Sequence, residues 1–381
     1  MKHATSPFVV YIITKLELGG AQKVCLSLFE QIQKKDPNRA ALISGQEGVL
    51  VEEVKKNNNV FLLPDFKREV TLSGIIDELK AFYALMRRLY LLKKKYIHVI
   101  VHTHSTKAGL LGRWAAFLVR IPHRIHTVHG FGFHQHQSRC AWYVNYFCEL
   151  LTSFITTQYI CVAKTDIVTG IKHIPFFKQK HTLIRAAATI PIASHKKVQV
   201  TNTAHNTHIF GTISCFKKQK NIFDLLQAFA YCYQYNQQCR LEIIGDGILR
   251  PAIELWIQSN QLHHVITLHG WQSDVTPFLR TWHTFVLTSL WEGLPCAVVE
   301  ARLHKLPVIA YNVGGISEII QHNKNGFLCN PKDVHAVSTH MHMLSTNLTV
   351  WGRMALYHDT LNSFSSRHMH RRHEKLYRTM I

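Results

Sequence analysis

At 381 residues the chain is long enough for two cores, since domains usually run about 100 to 200 residues. Hydrophobic residues make up 47%, with no low-complexity tract and no internal repeat of solenoid length, which excludes disordered, fibrous and repeat proteins. The net charge of +21 is uneven: residues 1–200 hold 28 Lys+Arg against 12 Asp+Glu and residues 201–381 hold 16 against 11, so the first half carries +16 and the second +5.

Met1 to Pro7 runs directly into a strand-like segment, Phe8–Thr14, without the basic region, apolar core and cleavage site of a signal peptide, and a cytoplasmic protein is expected. Further strand-like runs at Ala40–Ser44, Val60–Leu63, His98–His102, Arg124–Val128 and Tyr159–Val162 alternate with helix-period segments at Gln22–Lys35, Ile75–Lys95 and Lys107–Val119. That alternation predicts βαβ units and a parallel sheet. In the second of these helices Arg87, Arg88, Lys93, Lys94 and Lys95 interleave with Leu85, Leu89, Tyr90 and Leu92, a pattern that suits an anionic membrane surface or a polyanion, or else a solvated face with a basic end. Tyr143 to Val162 is the most apolar long segment, but Asn145 and Glu149 interrupt it, so it reads as a buried helix followed by a strand rather than a membrane span. His123, His126, His129, His134 and His136 come without a carboxylate cluster, and alternation along a strand sends His126 and His129 to opposite faces, so no metal site is expected. Nine cysteines, an odd number without a Cys-x-x-Cys pair, read as reduced core residues.

Ala188 to His208 is rich in Thr, Asn, Lys and His with little periodicity, which places a linker at 191–207 between a first domain, 1–190, and a second, 208–363. The second domain repeats the grammar of the first. Strands are predicted at His208–Ile213, Arg240–Ile244, Val265–Leu268, Phe285–Thr288 and Pro307–Ala310, with helices from Asn221, Leu249, Pro295 and Gly315. Two doubly wound sheets follow, with ligands expected in the cleft between domains, outside the strand carboxyl ends. Residues 364–381 form a final basic amphipathic helix.

The most informative stretch is Thr288-Ser-Leu-Trp-Glu-Gly-Leu-Pro-Cys-Ala-Val-Val-Glu300, followed by Leu306-Pro-Val-Ile-Ala-Tyr-Asn-Val-Gly-Gly-Ile-Ser-Glu318. Pro295 reads as the first residue of a helix, where its missing N–H costs nothing, and the amides around Gly293 and Leu294 then face outward at a positive dipole end suited to a phosphate. Glu292 lies ahead of this helix and Glu300 inside it, so the two reach opposite ends of a ligand whose phosphates lie between them, the shape of a sugar nucleotide. A capped α/β crossover with solvated acids is the plainer reading of the same residues.

This block resembles the Glu-x7-Glu signature of the retaining group 1 glycosyltransferases, which have the α/β GT-B fold of two Rossmann-like domains facing a central cleft and build bacterial surface polysaccharide and lipopolysaccharide. Gly19-Gly-Ala-Gln22, His102-Thr-His-Ser-Thr-Lys-Ala-Gly-Leu-Leu-Gly-Arg113, His126-Thr-Val-His-Gly-Phe-Gly-Phe133 and Ile244-Gly-Asp-Gly-Ile-Leu-Arg250 are similar to the family's other blocks, in the family's order. The resemblance implies transfer of a hexosyl unit from a nucleoside-diphosphate sugar to a lipid-linked or polysaccharide acceptor, with retention and with no metal or other cofactor. It assigns catalysis to His129, Lys220 and Glu292. Donor binding falls to Gly19, Gly20, Gly293, Leu294, Pro295, Glu300 and Asp246, and the acceptor side to His104 and Lys107. Of the two motif acids Glu292 would take the hexose hydroxyls and Glu300 the ribose, while the helix of 364–381 would cross back onto the first domain. One departure is Cys215, which stands where the family's phosphate-binding Arg is expected, five positions before Lys220; Lys217 and Lys218 either replace part of that charge or are surface lysines. The expected location is the cytoplasm, peripheral on the inner face of the membrane, with an anionic lipid surface rather than nucleic acid as the extended partner. A nucleotide-sugar epimerase and a non-catalytic polyanion-binding protein on a degenerate fold are the competing readings.

Overall fold

The computed structural model describes residues 6–67, 75–187 and 207–381, so nearly all of the linker placed at 191–207 lies outside the described residues. The chain forms two compact units, one of residues 1–187 and 365–381 and one of residues 188–364.

Unit 1 contains β1 (Phe8–Ile13), α1 (Gly20–Lys35), β2 (Ala40–Gly45), α2 (Val51–Val54), β3 (Val60–Leu63), α3 (Ile75–Lys95), β4 (Val99–His104), α4 (Thr106–Leu118), β5 (His123–Val128), α5 (Arg139–Ile155), β6 (Gln158–Cys161), α6 (Lys164–His173) and β7 (His181–Leu183). Its seven strands are all parallel, in the order β3-β2-β1-β4-β5-β6-β7. Every residue of β1 is buried, as expected of a central strand covered on both faces. Phe8, Val10 and Ile12 point to one face, where Ala81, Leu85, Leu89 and Leu92 of α3 and Ala108, Ala115 and Ala116 of α4 join them in a single core. Of the apolar residues interleaved with the basic residues of α3, Leu85, Leu89 and Leu92 therefore belong to the core, whereas Tyr90 is exposed. Tyr11 points to the opposite face, edge-on to Phe29 of α1.

The buried centre of α4 and α5 is an ion pair. Arg113 donates from both terminal nitrogens to the Glu149 carboxylate, each at 2.8 Å, and also reaches Thr156 Oγ1 at 2.9 Å and the Gly109 carbonyl at 2.6 Å. The Tyr159 hydroxyl donates to Glu149 at 2.7 Å. Such a network holds because each buried charge is matched and each donor has an acceptor. The expectation of a buried helix after Tyr143 is corrected here: only one side of α5 is covered, and that side carries Glu149, Thr152, Ser153 and Ile155, with Trp142 and Tyr146 partly buried.

Unit 2 contains β8 (His208–Ile213), α7 (Ile222–Tyr235), β9 (Cys239–Ile244), α8 (Arg250–Ser259), β10 (Ile266–Gly270), α9 (Thr276–Thr281), β11 (Thr284–Leu287), α10 (Cys296–Leu303), β12 (Val308–Tyr311), β13 (Gly326–Cys329), α11 (Val334–Thr346) and α12 (Leu348–Leu356). Its parallel sheet runs β10-β9-β8-β11-β12-β13. Each element predicted in this unit starts within one residue of the sequence reading, and two of the differences bear on the site. Pro295 is the residue before α10, in extended conformation, rather than its first helical residue. The helix expected from Gly315 is a single 3-10 turn at Ile316–Glu318. It stops because the Asn325 side chain accepts from the Gln321 amide at 2.8 Å and donates to the Ile319 carbonyl at 3.1 Å, satisfying groups that a longer helix would have used. The last helix, α13 (Ser366–Arg378), belongs to unit 1. There Tyr377 meets the Tyr11 hydroxyl at 3.1 Å and Ser27 of α1 bonds to His370 at 2.8 Å.

Replacing Glu149 by Ala would leave the Arg113 charge buried without its carboxylate. The expected loss is about 3–5 kcal/mol in unfolding free energy. Urea denaturation of the Glu149→Ala protein, compared with wild type, measures it.

Candidate active site

In unit 2 the strands end on one edge of the sheet, so the loops after β8, β9, β11 and β12 are neighbours there. After β8, residues Lys218–Lys220 make a 3-10 turn, and Asn221, with φ of +49°, turns the chain into α7. The Thr288 hydroxyl at the end of β11 donates to the Asn221 carbonyl at 3.0 Å, and the Gln219 side chain donates to the Trp291 carbonyl at 2.7 Å. These bonds join the two loops, and they bring Lys220 into a direct ion pair with Glu292. Both side chains are largely buried. Two residues assigned separately to phosphate and hexose are thus in contact, a pairing that a separation of 72 residues does not announce.

The Glu292–Gly293 backbone is held from the β12 side. Gly315 N–H donates to the Gly293 carbonyl at 2.7 Å, and Gly314 has φ of +55°. A Cβ on Gly314 would lie 2.0 Å from the Glu292 carbonyl oxygen, so only glycine admits this approach. Leu294 and Pro295 are buried beneath the same turn. Glu300 is buried on α10, on a different element from Glu292. The turn after β9 backs the β8 loop: Phe216 N–H donates to the Asp246 carbonyl at 2.8 Å, while the Asp246 carboxylate accepts from Gly247 N–H at 2.7 Å and pairs with Arg250 at 2.9 Å. Cys215 lies in the stretch between β8 and the 3-10 turn, where Lys217 N–H donates to its carbonyl at 2.8 Å.

In unit 1 Gly19 is the residue before α1, and no side chain caps that helix start. Gly20 is its first residue and is exposed. His129 follows β5, and its Nε2 is 3.0 Å from Nδ1 of His104 at the end of β4. Burial, and then the proximity of His373, push the His129 pKa down to about 4, and burial holds His104 far below the ordinary histidine range. Both rings are neutral at pH 7, and a neutral ring at a strand end offers a hydrogen bond to a hydroxyl rather than a charge. Lys107, in the first turn of α4, is paired with Glu78 of α3. His126 bonds Thr103 Oγ1 at 2.9 Å, on the other side of the sheet from His102 and His104. Among the described residues no three His, Cys, Asp or Glu side chains gather to hold a metal ion, and no helix is long and apolar enough to cross a membrane.

The sequence reading missed what lies behind His104. His102 Nδ1 is 2.7 Å from the Tyr377 hydroxyl and its Nε2 is 2.7 Å from Thr127 Oγ1. The spacing of His102 and His104 signals a shared face of one strand, but nothing local signals a partner 275 residues away.

Two parallel α/β sheets, each presenting its loops at the strand carboxyl ends, define a GT-B protein. A family model for glycosyl transferases group 1 matches residues 193–348. Over 328 residues the chain is 31% identical to the UDP-Gal:alpha-D-GlcNAc-diphosphoundecaprenol alpha-1,3-galactosyltransferase of Escherichia coli, covering 83% of this chain and 82% of that one. It is 24% identical to the capsular polysaccharide biosynthesis glycosyltransferase CapM of Staphylococcus aureus, covering 87% and 88%. Among solved structures, Anabaena HepE in complex with UDP and glucose superposes with a TM-score of 0.78 at 16% identity over 97% of this chain and 99% of that one. Sucrose-phosphate synthase from Thermosynechococcus elongatus does so at 0.77 and 18% identity over 98% of each chain. The chain belongs to the group 1 glycosyltransferases.

The buried histidines make stability depend on pH. His129 and His373 are each held down to about 4 by burial, and His102, His104 and His126 lie well below the ordinary histidine range for the same first reason. An unfolded histidine titrates near about 6.5, so below that pH the unfolded chain binds more protons than the folded one. The contribution is therefore complete above about 6.5 and is lost as pH falls toward about 4. Thermal midpoints should drop between about pH 7 and about pH 5, and a flat profile across that interval would contradict neutral buried rings.

Proposed function

We propose that this glycosyltransferase moves a hexosyl unit from a nucleoside-diphosphate sugar to a lipid-linked or polysaccharide acceptor, with retention and without a metal ion, in cell-surface polysaccharide synthesis. The observation that carries the reading is the Lys220–Glu292 pair beside the start of α10, which no side chain caps. Negative charge grows on the diphosphate as the anomeric bond breaks, and a lysine at the mouth of a helix start stabilises it. Glu292 orients that lysine and accepts from the hexose hydroxyls, Glu300 accepts from the ribose, and the Gly293 and Leu294 backbone faces the phosphates with Asp246 at the margin. His129 bonds a donor hydroxyl near the reacting carbon, and Gly19 and Gly20 let the backbone approach the same group. His104 and Lys107 serve the acceptor side. The departing phosphate oxygen takes the acceptor's proton on the same face, so no strong protein base is required. The lipid-linked acceptor is supported by the Escherichia coli relative, whose own acceptor is a diphosphoundecaprenol, and a uridine nucleotide by the UDP held in HepE.

Glu300→Ala should weaken binding of free UDP, whereas Glu292→Ala should mainly slow transfer. Isothermal calorimetry paired with initial rates separates the two, and equal affinity losses in both variants would remove the assignment of opposite ligand ends. Lys220→Ala should lower kcat by about 100-fold or more, and Cys215→Arg should keep or raise it by returning charge beside the leaving group. Nuclear magnetic resonance of the product gives the anomeric configuration. An epimerised donor formed without acceptor, or salt-sensitive polyanion binding without sugar release, would replace this reading with one of its rivals.

A further inference from the structure

The outward face of α5 is used by none of this chemistry. Tyr143, Val144, Phe147, Leu151 and Phe154 are 56, 57, 52, 60 and 59% exposed. They recur every three or four residues and make one stripe about 16 Å long. The buried residues of the same helix are Glu149, Thr152, Ser153 and Ile155, so three of its four buried positions are polar while these five large apolar side chains lie outside. Single exposed apolar residues are ordinary on a protein surface, but a continuous file of them on an inverted helix is a contact face. α4 extends it. Trp114 of α4 donates to Thr152 of α5 at 3.0 Å, and at the end of α4 Phe117 and Leu118 are 44 and 51% exposed.

Cations edge this face. Arg124 lies 5.5 Å from the Phe117 ring and donates to the Ile155 carbonyl at 2.5 Å. Lys180 donates to the Ser153 carbonyl at 3.3 Å, and Lys93, with Lys94 and Lys95 following, donates to the Val119 carbonyl at 3.0 Å. Acids are missing from the same part of the chain: residues 79–148 contain 11 Lys+Arg and no Asp or Glu. The next acid, Glu149, is turned inward onto Arg113.

We propose that unit 1 docks on an anionic lipid bilayer by laying the α5 stripe, with Phe117 and Leu118 beside it, into the interface, its cationic edge against the headgroups. Charge selects this occupant. Each cation near an anionic leaflet is drawn to it, whereas a second copy pairing stripe to stripe would set Arg124 and Lys180 against their own kind. The inference stands apart from the transfer reaction, since α5 would dock with or without donor.

Co-sedimentation of the full chain with vesicles of phosphatidylglycerol and phosphatidylcholine, against phosphatidylcholine alone, tests it. Wild type should bind the anionic vesicles, and salt should weaken that binding without abolishing it, because the apolar part is not screened. A Phe147→Ser, Leu151→Ser double variant should lose at least about tenfold in partition while its UDP affinity is unchanged. Tyr235→Ser, at a still more exposed apolar site on unit 2, should bind as wild type does. If the double variant fails to fold, Leu151→Glu alone gives the same readout. Wild type that ignores anionic vesicles at low salt overturns the proposal. So does a stripe variant that binds them undiminished, or one that only converts a dimer to a monomer in sedimentation velocity.

Discussion

Gly314 meets the Glu292–Gly293 backbone so closely that its hydrogen occupies the only room available, and the Gly315 amide closes the contact onto the Gly293 carbonyl. The position of the Glu292 side chain follows from that approach. Its backbone is fixed from the β12 side by Gly314 and Gly315, and from the β8 side by Gln219 reaching the Trp291 carbonyl. Lys220, one residue after Gln219, is carried to the carboxylate by the same loop. Backbone contacts carry the geometry here, so the charged pair does not have to supply the energy that orders it, and its charges remain available to a ligand. A side chain at position 314 would push the β11 loop away and separate Lys220 from Glu292 without altering either residue.

Unit 1 solves a different problem, the burial of polar rings. Tyr11, Tyr377 and His102 form a hydrogen-bonded series, and His104 next along β4 touches His129. The series runs from the last helix of the chain to a strand end. Histidine suits it because a neutral ring both donates and accepts, as His102 does between Tyr377 and Thr127, without carrying charge into the core. Burial then keeps these rings neutral, so they place no charge in the core beyond the paired Arg113 and Glu149. The terminal helix is fastened by this polarity as well as by Met369 and Tyr377 in the apolar layer.

The strands of both sheets were largely legible, since a strand such as Phe8–Ile13 buried on both faces must be written as an apolar run. The two that escaped notice, His181–Leu183 and Gly326–Cys329, are edge strands of three and four residues, too short for a pattern. In the site the order of motifs identified the loops, because each motif occupies a strand end. The contacts across loops were not legible: Lys220 with Glu292 and His102 with Tyr377 depend on sheet order, which local sequence does not contain. The helix read from Gly315 failed for a related reason, since Asn325 ends it from several residues downstream.

Helix α5 shows most clearly how pattern and burial part company. A helix with Tyr, Val, Phe and Leu on one side and Glu, Thr and Ser on the other is amphipathic in either orientation, and hydropathy alone places the apolar side inward. The Arg113 guanidinium reverses the choice. With five donors fixed in a plane and buried beside β6, it needs carboxylate and hydroxyl acceptors, and Glu149, Thr156 and Tyr159 meet that need only if the polar side of α5 faces the sheet. Once that side is turned in, Phe147, Leu151 and Phe154 have nowhere to point but outward. The interior ion pair and the exterior apolar stripe are therefore one constraint seen from two sides. The first accounts for why α5 is inverted, and the second leaves the inverted face in need of an apolar medium beyond the protein.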